Sequence, residues 1–533
     1  MKLKSFISRS EKYAVNFICA LMILIMGFLT VESFMHSMKL SCTVKMFEGI
    51  TYHHDNFFFN AIYIVAIILI TSLLIPKLEK IPMKIQTLFM AAVTIIFGCI
   101  WVSSAEVSPV ADQYSVINAA SLAAENNFSF VSDRYFSNYP YQLGMVFYFE
   151  VLIRIFGKNQ DNYIYLQIIN VIHLALAYTG LSLIIGKIFE SRRIRTMSML
   201  TMIFSAPAII YTTFLYGVIP GITYVIYAFI FEILYFREER KTKLIWGMLS
   251  VIFMTLAVMV KTNNYIALVA LISMALVKFI KRLRISDIVY MLVMLVVSVN
   301  ILSLTAKSYE KRSGLELGKG VPMTCYMAMG LDEPGGIHGC DAAGWYNSVH
   351  TSYLHEQCEF NADKTYEEAK KVVKERIRKF ASDYNYTSDF FYEKNTSQWN
   401  EPTYASLWIN VVMYDYGKKD YGKIANYVLG KGYAEVIDYM NIFQLFVYIS
   451  SFAGIIVCIK KKDIFCTGLI LIVLGGFLYH MIFEGKSQYI MPYFILLTGF
   501  SGVGICRLID FTDSIIAKGK NKPAEKEIIM QKE

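Results

Sequence analysis

Asp112 stands in Ser-Pro-Val-Ala-Asp-Gln-Tyr (108–114), directly after an apolar run. Lys261 closes another such run in Val-Met-Val-Lys-Thr-Asn-Asn, and Glu484-Gly485-Lys486-Ser487-Gln488-Tyr489 precedes a third. A carboxylate so placed can take up a proton or merely cap a helix, and a lysine can hold an anion or merely snorkel to lipid headgroups. Other chemistries are missing. No Gly-x-x-x-x-Gly-Lys-Ser/Thr phosphate cradle occurs, and His355-Glu356 lacks the second histidine of a zincin helix. No Asp-x-Asp is present to clamp the metal of a nucleotide-sugar. His53-His54-Asp55 reads as an incidental surface cluster rather than a metal site.

The elements that must position these residues are set by composition. Of 533 residues, 56% are hydrophobic and only 17% charged, against about 25% charged in soluble domains. That excludes an ordinary cytosolic enzyme, a disordered scaffold and a disulfide-stapled mini-protein, and leaves an all-α polytopic membrane protein. The net charge of +9 belongs to short hinges between apolar runs, so it reads as membrane orientation and not as nucleic-acid binding. Runs long enough to cross occur near 13–35, 57–75, 86–104, 163–188, 196–214, 216–236, 244–260, 264–280, 287–306, 440–459, 464–483 and 488–509.

A further stretch, 139–156, is short, opens on Tyr139-Pro140 and carries Glu150 and Arg154. Lys2, Lys4, Arg9 and Lys12 put the N-terminus in the cytoplasm by the positive-inside rule. If 139–156 crossed, the hinges at Arg192/Arg193/Arg195, Arg237/Arg240/Lys241/Lys243, Lys281/Arg282/Arg284 and Lys460–Lys462 would all fall outside. It is therefore expected to lie along the outer interface, leaving about 12 spans with both ends inside. The expected division is 1–104 and 163–306 as transmembrane helices, 105–162 as a first outer loop and 307–438 as an extracytoplasmic, mostly α or α+β domain. Helices resume over 439–510, and 511–533 forms a basic cytoplasmic tail, disordered from 518. The outer domain carries 16 Lys+Arg against 19 Asp+Glu, which agrees with that sidedness. Within it one helix is expected from an Asp363 cap and a second from Glu401-Pro402.

After Asp112 come a stretch with Ala119, Ala120, Ala123 and Ala124 on one face, then Tyr135-Phe136-Ser137-Asn138-Tyr139-Pro140-Tyr141-Gln142, and an apolar run closing in Phe156-Gly157. This order resembles the GT-C superfamily of integral-membrane glycosyltransferases, the group containing protein O-mannosyltransferases and the aminoarabinose transferase of lipid A. Glu484 to Tyr493, with Lys486, Tyr489 and Pro492, is similar to a late segment of its bacterial members. The likeness covers the order of elements along most of the chain. Two departures stand out: Asp112 is followed by Gln113 where many relatives carry Asp-Glu, and two spans precede the one feeding the Asp loop where better-known relatives have one.

The resemblance implies an inverting enzyme that moves a sugar from a polyprenyl-phosphate donor to a hydroxyl of a cell-envelope glycan, lipid or polymer. Asp112 would be its general base, and Lys261, Lys486 and Arg134 would hold the donor phosphate. Glu106, Tyr139, Gln142, Glu484 and Tyr489 are the substrate-binding candidates, Glu106 as a second carboxylate near Asp112. Trp345, Tyr346, Trp399 and Tyr404 could stack on sugar faces or belong to an interfacial aromatic belt. No cofactor is required, though a divalent metal stays open. Rival readings are a transporter or flippase of lipid-linked sugars, which predicts polar groups at mid-bilayer, and an envelope polysaccharide polymerase. Cys325, Cys340 and Cys358 allow one outer disulfide.

Overall fold

The computed structural model describes residues 2–42, 48–157, 163–335, 342–417 and 421–530. Helix dominates because a bilayer offers no water to backbone N–H and C=O groups, so each apolar segment must satisfy them internally. Two long helices lead, α1 (Lys2–Met35) and α2 (Phe57–Leu78), joined through an antiparallel hairpin of β1 (His36–Cys42) and β2 (Glu48–His54). His36 faces His54 and Cys42 faces Glu48 in its register. After α3 (Met83–Ala105) the chain leaves the bundle for α4 (Ala111–Ala124), α5 (Arg134–Asn138) and α6 (Leu143–Phe156). It returns through α7 (Ile164–Phe189), α8 (Arg192–Ile203), α9 (Ala206–Ile210), α10 (Val218–Arg237), α11 (Lys243–Val260), α12 (Tyr265–Arg282) and α13 (Ile285–Ser313).

The large domain contains α14 (Met323–Gly330), α15 (Ser352–Gln357), α16 (Ala362–Ser382), α17 (Tyr384–Trp399), α18 (Ser406–Gly417) and α19 (Lys423–Asn426). Three helices close the fold: α20 (Tyr433–Lys461), α21 (Ile464–Ile482) and α22 (Met491–Met530). Among the described residues 11 helices are long and apolar enough to cross a membrane. A twelfth span forms if the pair Arg192–Ile203 and Ala206–Thr213, bent by 53°, counts as one. The protein is an all-α polytopic membrane protein, as composition requires.

At 14 residues, α6 is about 21 Å long, too short for a hydrocarbon core of about 30 Å. It does not cross. Its Glu150 is buried and held by Arg154 at 3.0 Å, by Tyr309 at 2.5 Å and by Arg312 from the end of α13. Arg154 also binds the Ala123 carbonyl at 2.7 Å, tying α6 to the end of α4. Arg154 is thus a structural clamp.

Some expectations need correcting. The 36–54 connection is a hairpin, not a bare loop. Helix α16 is capped by Asn361, whose side chain accepts from the Asp363 and Lys364 amides at 3.0 Å, so Asp363 lies in the first turn. A helix unforeseen in the sequence, α17, intervenes before α18, and α18 begins at Ser406 rather than at Glu401. Helix α22 continues through the stretch expected to be disordered, where its alanine, lysine and glutamate are good helix formers. Cys340 lies outside the described residues, and Cys325 and Cys358 are free thiols. The rest of the tertiary fold is one continuous apolar core running through the bundle, with a small satellite core of Val321, Cys325, Ala328, Leu331, Ala369 and Val373 in the large domain.

Candidate functional site

Asp112 sits in the first turn of α4, where a negative charge is favoured by the helix dipole. The turn before it is tight: Val110 is extended and Ala111 adopts φ +49°, an uncommon conformation for a residue with a Cβ. The next residue pins the site from beneath. Buried Gln113 accepts the Leu215 amide at 2.8 Å and so holds the segment 214–217 against α4. That segment continues the bent α8–α9 span, which tightens into a single 3-10 turn over Tyr211–Thr213 and ends there. Its freed carbonyls are taken up by side chains: Ile210 by Trp101 at 3.1 Å, Thr212 by Asn170 at 3.0 Å and Thr213 by Gln167 at 3.2 Å. Irregular backbone at this depth survives because those groups are satisfied.

The segment delivers Tyr216 to the carboxylate. Its phenol donates to Asp112 Oδ2 at 3.0 Å and accepts from Gln142 Nε2 at 2.5 Å. Gly217 lets it pass the end of α11: at φ +75° a Cβ there would stand 2.1 Å from the Val260 carbonyl oxygen. Lys261 follows directly, with its Nζ 4.1 Å from the Tyr216 ring centre and 5.4 Å from that of Tyr489, a cation–π arrangement. Tyr489 in turn donates to Glu484 Oε1 at 3.2 Å. Lys486, nearly buried, pairs with Glu48 from the hairpin at 2.5 Å and stands 5.3 Å from the Tyr346 ring centre. Further phenols crowd the space, with Tyr135 3.4 Å from Tyr216 and Tyr141 2.9 Å from Tyr326.

The electrostatics mark an open cavity inside the protein. Asp112 is exposed to solvent, yet burial is the largest influence on it and pushes its carboxyl above the ordinary range, against the Tyr216 hydrogen bond and the charges of Lys261 and Lys486. Both observations fit a side chain on the floor of a water-accessible recess. Burial likewise brings Lys261 down to about 8, while Asp112 and Glu484 resist that fall. Glu484 is raised by burial and opposed by Lys486, the Tyr489 hydrogen bond and Lys261. From Lys261 and Tyr489 a narrow groove runs between Val218, Ile222, Ile266 and Pro492.

The structure thus brings together Asp112, Lys261, Lys486, Glu484, Tyr489, Tyr139 and Gln142. It separates two other candidates. Arg134 is ion-paired with Glu356 and lies 5.7 Å from the Phe360 ring centre, so its guanidinium is committed to the α15 corner. Glu106 is an exposed C-cap of α3 in a left-handed conformation. The second carboxylate of the site is Glu484. Trp345, Trp399 and Tyr404 are core residues, at 2%, 1% and 0% exposed. Sequence reasoning missed Tyr216, Tyr135, Tyr141, Tyr326 and Glu48, whose spacing carries no local signal. Among the described residues no cluster of three or more His, Cys, Asp or Glu side chains is placed to hold a metal ion.

A family model described as "Conserved hypothetical integral membrane protein" matches residues 7–503. The chain belongs to that family. Its match takes in every residue of the cavity and all of the spanning helices except the end of the last, Met491–Ser514, so the site is part of the family's integral-membrane body. No curated protein and no solved structure matches the chain.

Proposed function

We propose that this member of the family is an inverting glycosyltransferase of the plasma membrane, using a polyprenyl-phosphate-linked sugar on the extracytoplasmic face. The observation that carries the reading is convergence: Asp112, Lys261 and Glu484, far apart in sequence, share one tyrosine-lined cavity that continues into an apolar groove. The apolar side chains along the groove suit the first carbons of a lipid tail, and Lys261 at its mouth suits the phosphate. Among the described residues Lys261 has no carboxylate within ion-pair distance, so its charge is available to an anion. Phenols offer hydrogen bonds and flat faces to a sugar without adding charge.

In this reading the acceptor hydroxyl gives its proton to Asp112 as its oxygen attacks the anomeric carbon. The bond from that carbon to the phosphate oxygen breaks on the opposite side, and the electron pair leaves with the phosphate. Lys261 and Lys486 offset the charge that develops there. Sidedness rests on the hinges, since the lysine- and arginine-rich turns all lie at the helix ends opposite the cavity. A transporter would use the bent α8–α9 span as a substrate or ion site, but the carbonyls at the end of that span, those of Ile210, Thr212 and Thr213, are occupied by Trp101, Asn170 and Gln167.

Transfer of a radiolabelled sugar from a polyprenyl phosphate, measured in membranes, tests the proposal. Asp112→Asn and Asp112→Ala are expected to lose roughly 10²–10⁴-fold in rate, the usual contribution of a general base. Unchanged turnover in both, at normal expression, removes Asp112 from the mechanism.

A further inference from the structure

Lys394 on α17 is fully buried, yet no carboxylate pairs with it among the described residues. Its Nζ donates to the Gly330 carbonyl and, at 3.0 Å, to the Phe483 carbonyl. We propose that Lys394 is a positioning residue for the cavity: its ammonium clasps these two carbonyls, fixes where Glu484 and Lys486 stand, and lets them loosen when it gives up its proton. This assignment does not depend on the transferase reading and holds for any ligand of the cavity.

The surroundings are built around that ammonium. A Cβ on Gly344 would lie 2.6 Å from the Nζ, and one on Gly330 would lie 2.2 Å from the Phe483 carbonyl carbon. Three backbone segments therefore meet where only glycine fits. Their remaining bonds run straight to the site, from the Glu484 amide to the Tyr326 carbonyl at 3.0 Å and from the Gly485 amide to the Gly344 carbonyl at 3.1 Å. The titratable groups bearing on the ammonium are Glu484 from the 483–486 segment and His480 from α21. Glu393, its neighbour on α17, is engaged by the Ala343 backbone, while α14 and the 342–346 loop turn carbonyls and glycine toward it. Burial brings Lys394 down to about 7, with Glu484 resisting, so the proton leaves in the neutral range. A neutral amine still donates, but its bonds lose the strength that charge supplies.

Hydrogen–deuterium exchange of the purified full-length chain in detergent tests this at pH 6 and pH 8, after correction for the intrinsic rise of exchange with pH. Wild-type amides over 483–490 are expected to exchange about tenfold faster at pH 8 than at pH 6, the effect of weakening one charge-assisted hydrogen bond. Lys394→Met should exchange fast at both pH values, with no step between them. Glu484→Gln removes the charge that favours the ammonium, so its step should move to lower pH. Wild-type protection and a retained step in Lys394→Met overturn the assignment. If that variant does not fold, a step in Glu484→Gln at the wild-type pH overturns it instead. Failure of the sugar-transfer assay would leave either result standing.

Discussion

Replacing Tyr216 by Phe removes one oxygen from the cavity and leaves the ring on which Lys261 rests. The lost phenol is the donor to Asp112 Oδ2 at 3.0 Å, and it favours the ionised carboxylate. A hydrogen bond to a charged group is worth about 1.5–3 kcal/mol. Because Asp112 is open to water, which replaces part of that bond, the lower end applies, about 1.5 kcal/mol, which is close to one pH unit. The sign is fixed: without the donor the protonated form gains, so Asp112 ionises at a higher pH. In the proposed reaction the base must be ionised, and the acid limb of kcat/KM against pH should move up by about one unit. Below the limb the variant should be about tenfold slower than wild type, and on the plateau the two should converge. The assay is the pH–rate profile of labelled-sugar transfer from a polyprenyl phosphate, with Asp112→Asn as the inactive reference. An acid limb at the wild-type position, or one shifted downward, refutes the role given to this hydrogen bond.

Lys261 at about 8 should set the alkaline limb, since an ammonium that holds phosphate is lost above that pH. Lys261→Arg is expected to move the limb upward and Lys261→Ala to raise the donor KM, both read in the same profile. Glu48 now neutralises Lys486, so Glu48→Gln should lower the donor KM severalfold; an unchanged or higher KM speaks against Lys486 as a phosphate ligand. Gln113→Leu strands the Leu215 amide, which costs about 1–3 kcal/mol, and the thermal midpoint in detergent should fall accordingly.

The spans were legible because a bilayer imposes a length and a composition on every crossing segment, whatever it packs against. The shortness of α6 agrees with the charged hinges that bracket it, an argument of parity needing no contact at all. Asp112, Lys261, Glu484 and Lys486 stood out because charge at the end of an apolar run is conspicuous. The tyrosines did not, since phenylalanine and tyrosine are abundant throughout this chain and no spacing separates a cavity phenol from a belt phenol. Glu48 lay beyond reach for another reason: its partner, Lys486, comes from the far end of the chain. Arg134 and Glu106 were misjudged because closeness in sequence stood in for closeness in space, and a helix cap and an ion pair took them elsewhere.

The bridge from Glu48 to Lys486 closes across 438 positions. At translation rates of about 5–20 residues per second, the hairpin waits roughly 20–90 s for its counterpart to be synthesised. Until the last two crossings insert, the nascent protein has its base but neither the far wall nor the Tyr489–Pro492 side of the groove. Premature termination after the early spans but before residue 484 should therefore yield a chain that can reach the membrane and still lack a working chamber.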